Sequence, residues 1–493
     1  MVNFDSGKPT RTLLCGLLAA GLLTACGGDS DHHSDTDNPS EPQRAQDSRS
    51  FSVDEASLPF DESGVTGHDG ASRWSGVRPS GAGYRIEVPV NWNGMLVMYA
   101  HGYRGEGQTL TVSNPSIRQW LLDNGYAWAA SSYSTNYYDV RAGVEDTNEL
   151  ALAFNDIAEA EGRTLATPTK IYITGHSMGG HVTAAAIEQE TYATANNHVE
   201  YDGAVPMCGV VADTFEFQYL ARVTMAAQHL AHFENPDAPP LNGIPASNFD
   251  LDAINAVVWE TPPTLTTLGV PSEAGEKMQA LVRNLSGGQR PLADTGFRTY
   301  YWGVVMGTGG RGGDVNGILA GNLTGNAGVT YQFDNFPPLT AEEQAFNDTI
   351  LRVEGDPSAN ARRDDGLRWI PVINGEFTIP VVSLQGLGDL YVPFRHGQLY
   401  RERAEDNGNG GWLVQRAIRS PGHCDYTLAE QETAFADMID WEQNQNKPAG
   451  DDFLTPSTVA ADTFGCAFST SASGDDEAAV QATRPSAMAA CVP

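Results

Sequence analysis

Short apolar runs alternate along the first part of this chain with segments of helical periodicity. Four runs are continuous enough for strands buried on both faces of a sheet, and they occupy residues 95–100, 126–132, 170–174 and 201–208. Residues 115–123 and 140–161 repeat apolar side chains every three or four positions, which predicts amphipathic helices. Strands that alternate with helices predict a mostly parallel α/β sheet, flanked by helices and joined by right-handed crossovers.

The residues before the first run follow a different pattern. Residues 51–92 contain short strand-like pieces, of which residues 83–90 alternate apolar and polar side chains most regularly. This alternation predicts an antiparallel leading edge on the sheet. We therefore assign residues 51–212 to the first part of a core domain.

The alternation of strands and helices stops between residues 213 and 377. This segment predicts helices at 215–233 and 271–285 and then becomes Gly-rich. A structureless loop of this length does not suit a compact domain, so we expect an inserted, largely helical cap. We expect some of its aromatic side chains to face a substrate, although packing within the cap is the stronger expectation for any one of them. These side chains are Phe215, Phe217, Tyr219, Trp259, Tyr300, Tyr301, Trp302, Phe333 and Phe336.

The pattern of the core resumes after the cap. Residues 379–385 and 412–418 predict strands, and residues 394–404 and 428–443 predict helices, so that residues 378–445 form the second part of the core. Residues 446–493 lack periodicity, and we expect this tail to wrap the surface.

The N-terminal residues are typical of an exported protein. Lys8 and Arg11 precede an apolar run at residues 13–23, which is too short to span a bilayer. The following Leu-Thr-Ala-Cys, ending at Cys26, resembles the bacterial lipobox, in which the cysteine is acylated. The resemblance implies that residues 1–25 are a signal peptide and that Cys26 anchors the protein to a membrane of the cell envelope. An ordinary cleaved signal with a chance cysteine is the alternative.

We expect this anchor to lie in the outer membrane, with the protein on either its periplasmic or its surface side. Residues 26–50 are polar and acidic, which predicts a disordered tether. The whole chain has 62 acidic and 29 basic residues, a formal net charge of −33. A nucleic-acid partner is therefore not expected, because phosphate binding requires a basic face.

The cysteines outside the N-terminal region allow two disulfides. Of six cysteines, Cys15 and Cys26 belong to that region, and the other four are Cys208, Cys424, Cys466 and Cys491. Three connectivities are open. We expect Cys466 to pair with Cys491 as a local staple, which leaves Cys208 for Cys424. No Cys-x-x-Cys pair is present, and we expect neither a metal nor a cofactor.

The candidate chemistry begins where the third apolar run ends. Gly175-His176-Ser177-Met178-Gly179 has the pattern Gly-x-Ser-x-Gly between a predicted strand and a predicted helix. A serine hydroxyl is a weak nucleophile, so an enzyme that uses one holds it on a tight turn beside a base. The segment resembles the nucleophile elbow of the α/β-hydrolase family, which implies that fold for the core.

The same resemblance implies a catalytic triad in the chain order serine, acid, histidine, with Ser177 as the nucleophile. His396 and His423 are the main downstream candidates for the base. We expect His423, because a Pro-Gly loop after the last predicted strand carries it to the strand ends, where catalytic groups collect. His396 lies within a predicted helix, where a packing or surface role is expected.

Two aspartates compete for the role of the acid. Asp389 follows the next-to-last predicted strand in a Gly-Leu-Gly-Asp turn, and we expect it to orient His423. Asp213 follows the fourth apolar run and is the rival, because some hydrolases of this fold place the acid there. Asp425 lies close to His423 in sequence, and we expect it to cap the following turn.

The family also implies two backbone N–H groups that form an oxyanion hole. One belongs to the residue after the nucleophile, Met178, and the other to the loop after the first buried strand. That strand is followed by His101-Gly102, so the second donor is expected to be Tyr103.

Cys424, which adjoins His423, is similar to a feature of tannases and feruloyl esterases, in which cysteines beside the serine and the histidine are bridged. The match is partial, because His176 and not a cysteine precedes Ser177. Cys208 could reach Cys424 from the neighbouring strand end and fix the histidine loop in the same way.

The resemblance as a whole implies a serine hydrolase that cleaves a small-molecule or polymeric carboxylic ester through an acyl-enzyme. An amidase or peptidase, and a polyester or lipid hydrolase, are alternatives that use the same triad. A non-catalytic surface binding lipoprotein is the alternative from another class, because fold alone does not establish function.

Overall fold

The structure is a computed structural model, and it describes residues 48–60, 64–243, 247–311, 319, 321–334 and 338–491. The expected signal peptide, the expected anchor at Cys26 and nearly all of the expected tether lie outside the described residues. No described helix is both long enough and apolar enough to cross a membrane.

The described strands centre on one large sheet. In chain order they are β1 Ser52–Val53, β2 Ser72–Val77, β3 Gly83–Val88, β4 Met95–Ala100, β5 Thr109–Leu110, β6 Ala127–Ser131, β7 Lys170–His176, β8 Gly203–Met207, β9 Trp259–Thr261, β10 Val270–Pro271, β11 Val381–Gly386 and β12 Leu413–Ile418.

The described α-helices are α1 Arg118–Asp123, α2 Val140–Ala160, α3 Met178–Ala186, α4 Gln189–Thr194, α5 Phe215–Glu234, α6 Leu251–Val258, α7 Glu273–Leu285, α8 Ala293–Phe297, α9 Tyr301–Arg311, α10 Ala341–Thr349, α11 Arg395–Asp406, α12 Leu428–Asn444, α13 Pro456–Val459 and α14 Ala478–Ala487. Short 3-10 helices occupy Glu55–Ser57, Pro357–Asn360, Gly410–Trp412 and Ala489–Cys491.

The large sheet has eight strands in the order β12-β11-β8-β7-β4-β6-β3-β2. The strands from β6 to β12 in this order run parallel, β3 is antiparallel to β6, and β2 is antiparallel to β3. The predicted mostly parallel sheet with an antiparallel leading edge is confirmed. Because all six parallel strands point the same way, the loops at their carboxyl ends gather at one edge of the sheet.

Two apolar cores lie on opposite faces of this sheet. In β4, Leu96 and Met98 contribute to the core under α2 and α3, whereas Val97 and Tyr99 contribute to the core under α1 and α12. Strand residues alternate between faces, so a strand covered on both faces must be apolar throughout. This double burial explains the continuous apolar runs in the sequence.

The cap, residues 213–377, lies between β8 and β11 in the chain. Its described strands, β9 and β10, pair only with each other and do not join the large sheet. Helix α5 is its central element and packs against α6, α7 and α9. The first turn of α5 begins close to the end of β8, so the cap starts at the edge where the loops gather.

The tail contains more regular structure than its sequence pattern predicts, namely α13 and α14. Helix α14 holds Pro485 inside it, which hides the helical signal, because proline lowers helix propensity. The buried Arg484 of this helix donates hydrogen bonds to both carboxylate oxygens of Glu430 and to the carbonyl oxygens of Arg419 and Asp425. The tail is therefore hydrogen-bonded to the loop that carries His423.

Candidate active site

Ser177 lies on a sharp turn between β7 and α3. Its φ of 58° and ψ of −122° fall in a sparsely populated backbone region. Its N–H donates a hydrogen bond of 3.0 Å to the carbonyl oxygen of Met207, which fixes the turn against β8. A Cβ atom at Gly179 would overlap the carbonyl oxygen of Ala100, and one at Gly175 would overlap that of Gly179, so only glycine fits at either position.

Three side chains from separate loops form one hydrogen-bonded chain at this edge of the sheet. The Nε2 atom of His423 lies 2.8 Å from Ser177 Oγ, and its Nδ1 atom lies 2.6 Å from Asp389 Oδ2. Asp389 is buried, and its Oδ1 atom accepts hydrogen bonds of 2.9 Å from the N–H groups of Tyr391 and Val392. The structure thus brings together the nucleophile, base and acid expected from the sequence.

This geometry determines which ring nitrogen of His423 carries the proton. The Asp389 carboxylate can only accept, so His423 carries its proton on Nδ1 and donates it to Asp389. The lone pair of Nε2 then faces the hydroxyl of Ser177 and can remove its proton. The arrangement can activate Ser177 as a nucleophile and can stabilise the imidazolium that results.

The rival acid, Asp213, has other partners. Its Oδ2 atom accepts hydrogen bonds of 2.6 Å from Arg403 and 3.0 Å from the N–H of Ile373. Burial raises the pKa of Asp213, but the Arg403 charge and these hydrogen bonds outweigh it and hold the pKa below its ordinary value. Asp213 is therefore an ionised group that ties the cap to α11.

The rival base, His396, is completely buried in α11. Its Nδ1 atom accepts a hydrogen bond of 3.1 Å from the N–H of Ala212, and its Nε2 atom lies 2.8 Å from Glu216 Oε2. Burial holds the pKa of His396 well below its ordinary value, so the ring is neutral. Both nitrogen atoms are thus occupied away from Ser177.

The expectation that Asp425 caps the next turn is wrong. Thr427 is the N-cap residue of α12, and it forms a reciprocal capping box with Glu430. Asp425 instead lies beside the histidine loop, where burial and then the negative charge of Asp389 raise its pKa to about 6. The sequence contains the signal for the true cap, because the motif Thr-x-x-Glu at residues 427–430 spans the start of the helix.

The two expected oxyanion donors lie next to the serine. Met178 is the first residue of α3, so no carbonyl oxygen of its own helix can accept from its N–H. The loop after β4 passes close to the nucleophile, because a Cβ atom at Gly102 would lie 3.3 Å from Ser177 Cβ. Tyr103 follows in this loop and lines the same cavity as Ser177. The oxyanion role of both N–H groups stays a prediction.

A small cavity of about 30 Å³ opens beside Ser177. Its lining includes Tyr103, Tyr138, Tyr391 and Val392 from the core, and Glu216, Phe217 and Leu220 from α5 of the cap. The sequence analysis identified neither Glu216 nor Tyr138. For Glu216 the reason is that an acidic residue in the first turn of a helix usually marks a helix start and not a binding site.

The cap also holds the two loops that carry the acid and the base. The hydroxyl of Tyr219 donates a hydrogen bond of 3.0 Å to the carbonyl oxygen of Leu390, and the hydroxyl of Tyr301 donates one of 3.3 Å to that of His423. A Cβ atom at Gly296 would overlap the carbonyl oxygen of Gly388, so α8 is in direct contact with the loop that carries Asp389. The cap is therefore part of the scaffold of the site.

The structure contains both disulfides expected from the sequence, Cys208–Cys424 and Cys466–Cys491. The first joins the end of β8 to the residue after His423, with a Cα–Cα distance of 5.3 Å.

His176 precedes Ser177, and its Nε2 atom lies 2.9 Å from Gln431 Oε1. Within the described part of the chain, no group of three or more His, Cys, Asp or Glu side chains could hold a metal ion.

The mostly parallel sheet flanked by helices, with a serine on a strand-turn-helix elbow, is an α/β-hydrolase fold. No family model matches the sequence. The chain is similar to o-phthalyl amidase from Xanthobacter agilis, with 22% identity over 400 residues that cover 74% of this chain and 86% of that protein.

Solved structures with a similar fold include two esterases. Feruloyl esterase B from Aspergillus oryzae has 15% sequence identity and a TM-score of 0.37, and the match covers 78% of this chain and 83% of that one. The rice cell wall degrading esterase LipA from Xanthomonas oryzae has 13% identity and a TM-score of 0.32, with 76% and 87% covered.

Proposed function

We propose that this protein is a serine hydrolase that cleaves a carboxylic ester through an acyl-enzyme intermediate. The observation that carries the proposal is the hydrogen-bonded chain from Ser177 Oγ through His423 to Asp389 beside a cavity. A buried carboxylate and a strained serine turn cost stability, and proteins retain such features chiefly at functional sites.

The proposed reaction has two halves, the formation and the hydrolysis of the acyl-enzyme. Ser177 Oγ attacks the ester carbonyl carbon while His423 Nε2 takes its proton, and the N–H groups of Met178 and Tyr103 stabilise the oxyanion. When the intermediate collapses, His423 gives this proton to the departing alcohol oxygen, and Ser177 holds the acyl group. A water molecule then attacks the acyl carbon and gives its proton to His423; the bond between the acyl carbon and Ser177 Oγ breaks, His423 returns the proton to Ser177 Oγ, and the acid is released.

Amide hydrolysis is a second candidate, and one observation favours it. The similar sequence from Xanthobacter agilis is an amidase, and the similarity covers most of both chains. The same triad serves both reactions, because it can donate a proton to either an alcohol or an amine leaving group. The natural substrate in either case is a small molecule or an accessible part of a polymer.

Labelling of Ser177 by a fluorophosphonate probe tests the enzyme proposal. The purified protein is expected to react with the probe, because the probe requires an activated serine, and Ser177→Ala is expected to abolish the reaction. A panel of p-nitrophenyl esters and matched p-nitroanilides would then separate esterase from amidase activity. Absence of labelling in the folded wild-type protein would favour the non-catalytic binding protein instead.

The disulfide beside His423 yields a further prediction. Replacing Cys208 and Cys424 together by alanine is expected to lower kcat/KM for an ester about 100-fold, because small displacements of a base are costly. It is also expected to lower the free energy of unfolding by about 2–5 kcal/mol. The matched control replaces Cys466 and Cys491, whose loss is expected to lower stability, as measured by urea denaturation, with a much smaller loss of activity. Equal loss of activity in both variants would contradict a specific role at His423.

We also propose that the protein is exported and anchored to the cell envelope through a lipid on Cys26. The two disulfides support export, because stable disulfides are typical of oxidising compartments. Cells fed labelled palmitate are expected to transfer the label to the wild-type chain and to a Cys15→Ala control, but not to Cys26→Ala. Label on the Cys26→Ala chain, or none on the wild type, would refute the anchor.

A further inference from the structure

One buried acidic residue in the cavity has no place in the reaction above. Glu216 lies in the first turn of α5, is 5% exposed, and lines the same cavity as Ser177. Its Oε2 atom lies 2.8 Å from His396 Nε2, whereas no described residue forms a hydrogen bond with Oε1. A buried carboxyl group that is only half satisfied, in a cavity beside a nucleophile, indicates a ligand contact.

The neighbouring histidine fixes which atoms carry protons. The N–H of Ala212 donates to His396 Nδ1, so that nitrogen carries no proton. His396 is neutral, and its single proton is therefore on Nε2 and is donated to Glu216 Oε2. The Oε2 atom of Glu216 consequently acts as an acceptor.

The remaining oxygen of Glu216 is then a donor. Burial, and after it the negative charge of Asp389, raise the pKa of Glu216 well above its ordinary value, which favours the protonated form of the carboxyl group. Since Oε2 accepts from His396, the acidic proton is assigned to Oε1, the carboxyl oxygen of this cavity-lining residue that has no hydrogen-bond partner among the described residues. None of the described side chains that line the cavity is a lysine or an arginine.

We assign this cavity to the acyl part of a substrate. Its lining includes Ser177 and Tyr103 but does not include His423, the group that must contact the leaving oxygen. The acyl group is therefore the part of the substrate that extends toward α5 and Glu216.

On this basis, which rests on the proposed ester hydrolysis, we propose that Glu216 is a specificity-determining residue that donates a hydrogen bond from Oε1 to a neutral acceptor in the acyl group of the substrate. A ketone, ether, hydroxyl or amide oxygen suits this position. A carboxylate does not, because the cavity wall supplies no cation and Asp389 is close by.

Three p-nitrophenyl esters of nearly equal acyl length test this proposal. The pentanoate is apolar, the 4-oxopentanoate carries a neutral acceptor, and the hemisuccinate carries a carboxylate. With spontaneous hydrolysis subtracted, we expect kcat/KM of the wild type to be about tenfold higher for the 4-oxopentanoate than for the pentanoate, and lowest for the hemisuccinate. Equal values for the first two esters, or the highest value for the hemisuccinate, would overturn the proposal.

Two variants separate the hydrogen bond from general packing. Glu216→Gln keeps an N–H donor directed at the cavity, and the preference for the 4-oxopentanoate is expected to persist. Glu216→Met removes the donor at similar volume, and the ratio between the two neutral esters is expected to approach one. If Glu216→Met fails to fold, the wild-type and Glu216→Gln ratios still decide the matter. A wild type that hydrolyses none of the esters and is not labelled by fluorophosphonate would refute the proposed function, whereas labelling without the preference would refute only the role of Glu216.

Discussion

Replacing His423 by alanine is expected to lower kcat for ester hydrolysis about a million-fold, the scale seen when a triad base is removed. The Nε2 atom of His423 is 2.8 Å from Ser177 Oγ, and without it the serine hydroxyl keeps its proton. The rival histidine, His396, cannot replace His423, because both ring nitrogens of His396 already have partners. The rate is measured with a p-nitrophenyl ester, and circular dichroism verifies the fold.

Two comparisons test whether the loss is specific. The double variant Ser177→Ala, His423→Ala is expected to be no slower than either single variant, because the two residues act as a unit. His198→Ala removes an exposed histidine outside the cavity, and its activity is expected to stay within about twofold of the wild type. A His423→Ala enzyme that retains a tenth of the activity would mean that another group is the base.

Much of the core follows from the sequence because local pattern and burial coincide there. The apolar run at Met95–Ala100 is β4 without a shift of either boundary, since a strand covered on both faces must be apolar along its whole length. The same logic places Ser177, Asp389 and His423 close together. Each follows a parallel strand, and carboxyl ends of parallel strands share one edge of a sheet.

Contacts between distant segments could not be found in this way. Glu216 and His396 are 180 positions apart, and Arg484 and Glu430 are 54 apart, and no periodicity relates the members of either pair. Each pair depends on how a helix packs onto the core, which the pattern of a single segment does not contain.

Asp425 shows a different cause of error. The N-cap residue is Thr427 and not Asp425, and the reciprocal partner of Thr427 three residues later, Glu430, identifies it. The choice depended on a second residue of the motif and not on the propensity of the first. Local signals of this kind are readable when the complete motif is considered.

The second large effect is expected for Asp389→Asn, which should lower kcat about 10,000-fold while the fold persists. Asp389 Oδ1 accepts from two backbone N–H groups, those of Tyr391 and Val392, and an amide nitrogen cannot accept from them. The asparagine must therefore turn its oxygen toward these groups and its NH₂ group toward His423. His423 must then accept at Nδ1 and carry its proton on Nε2, where it faces Ser177 and cannot take the serine proton.

Two further variants distinguish orientation of the histidine from the mere loss of a negative charge. Asp425→Asn removes a carboxyl group beside the same loop without touching the ring nitrogens of His423, so its effect on kcat is expected to be below about tenfold. Asp213→Asn tests the rival acid and is expected to weaken the contact with Arg403, which lowers the free energy of unfolding while the folded enzyme stays active. If Asp213→Asn abolished activity in folded protein and Asp389→Asn did not, the acid would be Asp213, and the proton assignment at His423 would have to be abandoned.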